Sequence, residues 1–251
     1  MYDSTAERLR EISCGAAPLI EQPAEIAVRL APHQIAAAEY ATLAPRMILS
    51  DHPATGKDYC AIAALVETAE RPLLVSAPPA LLALWRERFQ RALSDWHVVE
   101  FERSSDITPT ALRGPDVVMV RHRQLARTSR LLEEVGFEGL IFDQCQMLAC
   151  HWTQLATAAR RVVAALPHGS RVVASSSQAC ATPRCLASVL EVLGLLGSNP
   201  RIAAVRHKRS WGDVPDAAEL LDGLRGQCLL ARSTDSVLAL LGSNGVRPRA
   251  V

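Results

Sequence analysis

The chain has 251 residues, of which 49% are hydrophobic, and a formal net charge of +1 at pH 7. This length allows one large α/β domain or two small ones, and the apolar content is sufficient for a buried core. The small net charge excludes a globally basic nucleic-acid-binding protein, so any contact with nucleic acid must come from a local patch.

The sequence also predicts where the protein works. No apolar run approaches the roughly 20 residues that a membrane helix needs, and the first residues lack the basic-then-apolar pattern of a signal peptide. Seven cysteines without a CxxC pair are typical of mostly buried thiols in a reducing compartment. We therefore expect a cytoplasmic protein with no membrane contact.

Short apolar runs alternate along the chain with segments of helical periodicity. Strands are predicted at 47–50, 72–77, 98–101, 116–120, 139–142 and 171–175, and helices at 59–69, 80–93, 125–135, 152–166, 183–196 and 217–224. This alternation predicts an α/β fold with a mainly parallel sheet and helices on both faces, in which ligands bind at the carboxyl ends of the strands. We divide the chain into a helical extension (1–29), the α/β lobe (30–198) and a helical and irregular appendage (199–251).

The most informative stretch is Asp-His-Pro-Ala-Thr-Gly-Lys-Asp at 51–58, which has the spacing of a phosphate-binding loop between a predicted strand and a predicted helix. Backbone N–H groups of such a loop would surround phosphate oxygens, and the lysine would neutralise their charge. The predicted nucleotide-binding residues of the loop are Ala54, Thr55, Gly56, Lys57 and Asp58. Only two of the 27 basic residues are Lys, so a Lys after Gly56 indicates a site that needs a compact ammonium group.

One position of the loop departs from the phosphate-binding pattern. Asp58 stands where a Ser or Thr hydroxyl usually holds Mg²⁺. Two unit charges 4 Å apart repel by about 4 kcal/mol at an effective dielectric constant of about 20. Unless Asp58 itself takes a metal, nucleotide binding should be weak. The alternative interpretation of the stretch is an ordinary turn before a helix.

Taken in order, these segments resemble the first RecA-like lobe of the SNF2 family of superfamily 2 helicase-like ATPases, over about residues 30–251. Residues 30–34 are similar to the family's entry motif, 51–58 to motif I, 74–85 to motif Ia, 117–122 to the next conserved strand, 141–146 to motif II, 175–178 to motif III and 228–233 to the segment that leads to a second lobe. The resemblance implies that Gln34 reads adenine and that Asp143 holds Mg²⁺ if ATP binds.

The chemistry of the motifs departs from the family while their apolar framework persists. Gln144 stands where the family has the Glu that polarises the attacking water, and a carboxamide cannot accept that proton. Gln146 and residues 175–178 replace the groups that link the ATP site to DNA in the family. We therefore assign no catalytic residue, treat Asp143 and Gln144 as degenerate positions, and predict a pseudo-ATPase.

Two basic clusters are candidates for nucleic-acid contact. Arg121, Arg123 and Arg127, with His122 and Arg130, follow a predicted strand where the resemblance implies an approach to the nucleic-acid backbone. The second cluster, in a predicted polar loop, comprises Arg201, Arg206, His207, Lys208 and Arg209. The alternative for both is a solvated surface. The sequence does not distinguish DNA from RNA.

A zinc site is a further hypothesis, because two C-x₄-C pairs follow strands that should be neighbours. The candidate ligands are Cys145, Cys150, His151, Cys180 and Cys185. This spacing is longer than that of the usual zinc knuckle, and buried unreactive thiols are the alternative. Trp85 and Trp152 are predicted to pack in the core.

These observations predict a non-hydrolysing binding or scaffolding subunit in a nucleic-acid-associated assembly. The alternative function is a weak DNA-dependent ATPase that is completed by a second RecA-like lobe from another polypeptide. We expect a protein partner to cover either the cleft face, rimmed by Gly56, Asp143, Ser176 and Gln178, or residues 201–251.

Overall fold

The computed structural model describes residues 4–67, 71–149 and 152–243, which form an α/β fold around one parallel sheet. The strands are β1 Arg46–Leu49, β2 Leu73–Ala77, β3 Val98–Glu100, β4 Val117–Arg121, β5 Gly139–Asp143, β6 Arg171–Ser175 and β7 Leu229–Leu230. The α-helices are α1 Ser4–Ser13, α2 Pro32–Leu43, α3 Lys57–Val66, α4 Pro79–Ala92, α5 His122–Glu133, α6 Gln154–Ala165, α7 Pro183–Val192, α8 Pro200–Val205, α9 Ala217–Arg225 and α10 Thr234–Ser243.

The sheet has the strand order β3-β4-β2-β5-β6-β1-β7, and every pairing is parallel. Successive side chains of a strand point to opposite faces, so the continuous apolar runs of these strands make both faces of the sheet apolar. Leu74 and Phe142 join the core beneath α5 to α9, whereas Val75 and Ile141 join the core beneath α1 to α4. The predicted α/β class, with helices on both faces of a parallel sheet, is confirmed.

Local capping explains where the helices differ from the sequence-based bounds. Helix α5 begins at His122, before the predicted start, because the Arg121 amide donates to Gln124 Oε1 at 2.7 Å and caps the first turn. Helix α7 ends at Val192, short of the predicted 196, and Gly194 follows it with φ +73°.

The carboxyl-terminal segment takes part in the fold. Leu229 and Leu230 pair with Ile48 and Leu49 of β1, and residues 200–205, predicted as a polar loop, form α8. The division at 29 and 198 stays a prediction, and its last unit supplies a strand to the sheet. No helix in the described ranges is long and apolar enough to cross a membrane.

The sheet register places the candidate site. Leu49, Asp143 and Leu230 all lie at the carboxyl ends of neighbouring strands, and Ser175 of β6 is in register with both Leu49 and Asp143. The loops that follow β1, β5, β6 and β7 therefore leave the sheet at one edge. This edge is where parallel α/β sheets bind their ligands.

We predict that Gly139→Ala lowers the free energy of unfolding by about 1–3 kcal/mol, the usual range for overpacking. A Cβ on Gly139 would lie 2.7 Å from Leu73 Cδ2 and 3.2 Å from Leu65 Cδ2, and both leucines are fully buried. The matched control is Gly223→Ala in α9, where a Cβ meets nothing within 4 Å. The control should gain roughly 0.5–1 kcal/mol from helix propensity. Urea unfolding that gives both variants the same shift would contradict this packing.

Candidate functional site

The predicted phosphate loop forms a tight turn between β1 and α3. Ala54 and Gly56 adopt left-handed backbone angles, with φ +66° and +71°, and Gly56 is the residue before the first turn of α3. A Cβ on Gly56 would lie 2.6 Å from Gln34 Nε2 and would displace that side chain, and the left-handed backbone itself favours glycine. The amino terminus of α3 thus faces the carboxyl edge of the sheet, in the arrangement that favours an anion.

Lys57 is half-buried at this edge. Its Nζ donates to the His52 carbonyl oxygen at 3.1 Å. Burial lowers the pKa of its ammonium group, and the carboxylates of Asp51, Asp143 and Asp58 act in the opposite direction. The fold therefore brings the loop lysine and the acidic residue that ends β5 into the same electrostatic environment.

A fully buried ion pair anchors the start of the loop. Both side chains, Asp51 and Arg232, are 0% exposed, and Arg232 Nη2 lies 2.5 Å from Asp51 Oδ2. The Arg232 amide also donates to Asp51 Oδ1 at 2.9 Å, and its Nη1 donates to the His33 carbonyl oxygen at 2.7 Å. The His33 ring in turn contacts the Thr55 carbonyl oxygen at 2.7 Å. These contacts connect the segment after β7, the start of α2 and both ends of the loop.

Asp58 has an internal partner that the sequence did not indicate. Arg88 of α4 places its Nε 2.6 Å from Asp58 Oδ2, and the Asp58 side chain is only 18% exposed. The same guanidinium lies 5.1 Å from the centre of the Tyr59 ring. The repulsion predicted for an unpaired Asp58 is therefore partly neutralised. No local pattern marks Arg88, because only the packing of α4 beside α3 brings it to the loop.

Asp143 is held by two donors at the end of β5. Trp85 Nε1 donates to Oδ2 and the Gln144 amide donates to Oδ1, each at 2.8 Å. Burial raises the pKa of the carboxyl group, against the effect of both hydrogen bonds and of Lys57. Trp85 is 3% exposed, so its predicted core packing is confirmed, and its N–H has a polar role besides.

The two predicted glutamine positions also make internal contacts. Gln144 has a left-handed backbone, with φ +51°, and its Oε1 accepts from Gln146 Nε2 at 2.6 Å. Gln34 Oε1 accepts from the Ala31 amide at 2.9 Å, and its Nε2 lies 3.5 Å from the Gly56 carbonyl oxygen. The group predicted to read adenine therefore caps α2 and faces the loop.

The residues of the cleft fit the phosphate of ATP better than its Mg²⁺. The first turn of α3 and Lys57 fit a phosphate group. The magnesium ligands fit less well, because Mg²⁺ requires oxygen ligands in near-ideal octahedral geometry. Here Asp58 is paired with Arg88, and each Asp143 oxygen already accepts one hydrogen bond in a buried position.

The first basic cluster is smaller than the sequence predicts. His122 is buried, with Nδ1 2.8 Å from Ser76 Oγ and Nε2 3.0 Å from the Asp143 carbonyl oxygen. Burial lowers the pKa of His122 to about 4, so it is neutral at pH 7. Arg123 and Arg127 are exposed on one side of α5, and Arg121 is half-buried. None of these three arginines has a carboxylate partner within the described ranges.

The remaining predicted sites have mixed outcomes. No three His, Cys, Asp or Glu side chains among the described residues are grouped to hold a metal ion, while Cys150 and His151 lie outside those residues. Cys145 and Cys185 are buried, as the alternative interpretation expects. The predicted core packing of Trp152 is wrong. Its side chain is 62% exposed because α6 begins only at Gln154.

Comparison with known proteins supports the fold. The SWI2/SNF2 ATPase core of Sulfolobus solfataricus, solved in complex with double-stranded DNA, superposes with a TM-score of 0.67 at 20% identity. The match covers 86% of this chain and 47% of that one, so the chain spans about half the length of its structural neighbour. No protein-family model and no curated protein matches the sequence. The similarity shows a RecA-like fold.

We predict that Arg232→Met lowers the free energy of unfolding by about 3–5 kcal/mol, because it leaves the Asp51 charge buried without a partner. The double variant Asp51→Asn with Arg232→Met should recover at least half of that loss. Arg91→Met, at an exposed pair with Glu87, is the control and should change stability little. Thermal and urea unfolding that rank the single and double variants equally would show that the charge pair is not the cause.

Proposed function

We propose that the protein is a non-hydrolysing RecA-like lobe that acts as a binding or scaffolding subunit in a nucleic-acid-associated assembly. One observation carries the proposal: the groups that would perform ATP chemistry are already engaged within the chain. These groups and their partners are Gln34 with Ala31, Asp58 with Arg88, Asp143 with Trp85, and Gln144 with Gln146.

Hydrolysis needs a base or a water-orienting group at the end of β5. A Gln144 carboxamide cannot take a proton, and its oxygen already accepts from Gln146. Asp143 would have to bind a metal ion in a buried position where both of its oxygens already accept hydrogen bonds. Both arguments support an inactive cleft.

Phosphate binding is a separate matter. Lys57 remains, and Arg88 offsets the charge of Asp58. This pairing favours weak nucleotide binding through the loop. It also gives some support to the second candidate function, a weak DNA-dependent ATPase that is completed by a second RecA-like lobe in trans.

The partners are proposed from surface chemistry. Arg123 and Arg127 are exposed and suit a phosphate backbone, and the structural neighbour was solved with double-stranded DNA. At the carboxyl edge of the sheet, Gln178 is exposed and Met147 is 51% exposed. We propose a protein partner on that face.

We expect no ATP hydrolysis above background from the protein, with or without DNA, in a steady-state phosphate-release assay. The double variant Asp58→Thr with Gln144→Glu should raise nucleotide affinity severalfold, because it restores a metal-binding hydroxyl and a carboxylate. Lys57→Ala is the control for binding through the loop. A DNA-stimulated rate that Lys57→Ala abolishes would overturn the proposal and favour the ATPase.

Nucleic-acid binding through α5 should be electrostatic and tolerant of sequence, because the arginines lack interleaved aromatic side chains. Replacing Arg121, Arg123 and Arg127 by Ala should weaken duplex binding at low salt and flatten its salt dependence. Fluorescence anisotropy against salt concentration measures both effects. Unchanged affinity at low salt would mean that this helix face is only solvated.

A further inference from the structure

A small basic cavity lies beside α7. Its volume is about 180 Å³, and Trp152 forms part of its wall. The basic side chains that line it are Arg184, Arg206, His207 and Arg209. The fold assembles it from α7 and the turn after α8, two segments that the sequence analysis assigned to different units.

The cavity keeps its positive charge. Glu191 also lines the wall, but Arg160 lies 3.2 Å from its carboxylate and offsets it. Arg206 Nε donates to His207 Nε2 at 3.3 Å. None of Arg184, Arg206 and Arg209 has a carboxylate partner in the part of the chain that the structure describes.

The aromatic wall is also presented to solvent. Trp152 is 62% exposed, and the Arg184 guanidinium lies 4.6 Å from the centre of its ring. Contact with an apolar or aromatic surface would remove this exposed indole from water, which is favourable. Its position next to arginines that have no carboxylate partner among the described residues points to a ligand that carries both a flat ring and an anion.

The size of the cavity determines which part of such a ligand it can hold. The cavity, at about 180 Å³, is smaller than the roughly 300–1,000 Å³ of typical small-molecule sites. That space suits one phosphate group better than a whole nucleotide. The ring must therefore lie outside the cavity, at the level of the Trp152 indole.

We propose that this cavity is a binding site for single-stranded nucleic acid, with one backbone phosphate between Arg206 and Arg209 and an adjacent base against Trp152. Guanidinium groups match phosphate oxygens with paired donors, and base stacking on an aromatic side chain is tolerant of sequence. An acidic peptide would satisfy the arginines but not the exposed indole.

This inference rests on the proposed association with nucleic acid and names its single-stranded partner. It does not depend on the nucleotide cleft or on α5. In the sheet, β4 before α5 and β6 before α7 are separated by two strands, a distance of about 14 Å. The two basic surfaces can therefore be tested independently.

The experiment measures binding of a fluorescein-labelled 20-nucleotide oligo(dT) to the full chain by anisotropy. Arg206→Glu with Arg209→Glu should weaken binding at least tenfold. Trp152→Ala should weaken it at least fivefold, the effect of about 1 kcal/mol of lost stacking, while leaving the salt slope unchanged. Trp152→Phe should restore most of the affinity. Circular dichroism checks that each variant is folded.

The control Arg86→Glu with Arg91→Glu makes the same change of charge on exposed arginines of α4, and should shift the affinity less than twofold. Arg123→Glu with Arg127→Glu tests α5 separately, so loss at one surface alone identifies which proposal fails. The inference is overturned if oligo(dT) does not bind, if the cavity variants bind within twofold of the parent, or if polyglutamate displaces the oligonucleotide as well as unlabelled oligo(dT) does.

Discussion

The ion pair between Asp51 and Arg232 is the contact on which the geometry of the cleft depends. It joins residues 181 positions apart in the sequence, in a site without solvent, where an unpaired charge is costly. Because Arg232 follows β7 and also binds the His33 carbonyl oxygen, the pair fixes the phosphate loop against both the sheet edge and α2. The loop conformation is therefore a property of the whole fold, and the carboxyl-terminal segment is needed to maintain it.

The same principle extends from the loop to the rest of the cleft. Asp58, Asp143 and Gln144 each contact a partner within the chain. A ligand that replaced such a partner would have to offset the free energy of the interaction that is lost. What stays available is Lys57 and the first turn of α3, which together suit an anion. The proposed loss of catalysis is thus compatible with a phosphate-sized binding feature in the same fold.

The sequence predicted the framework well because buried parallel strands and a phosphate loop have strong local patterns. Apolar runs predict β2, β5 and β6 to within one residue at each end, and the Gly-Lys pair at 56–57 predicts the loop between β1 and α3. The missed features were either long-range contacts or local helix bounds. Arg88, Arg232 and the basic cavity beside α7 consist of residues that meet only through packing, and the exposure of Trp152 follows from a helix start two residues later than expected.

We propose that the carboxylates of the cleft are engaged inside the chain and do not serve a metal ion. Calorimetric titration of the protein with ATP, once with Mg²⁺ and once with a chelator, is the sharpest test. We expect weak binding whose affinity agrees within about twofold in the two titrations, since Lys57 and the loop amides would contact only phosphate. Binding that is tenfold or more tighter with Mg²⁺, and that loses this advantage in Asp143→Asn, would overturn the proposal.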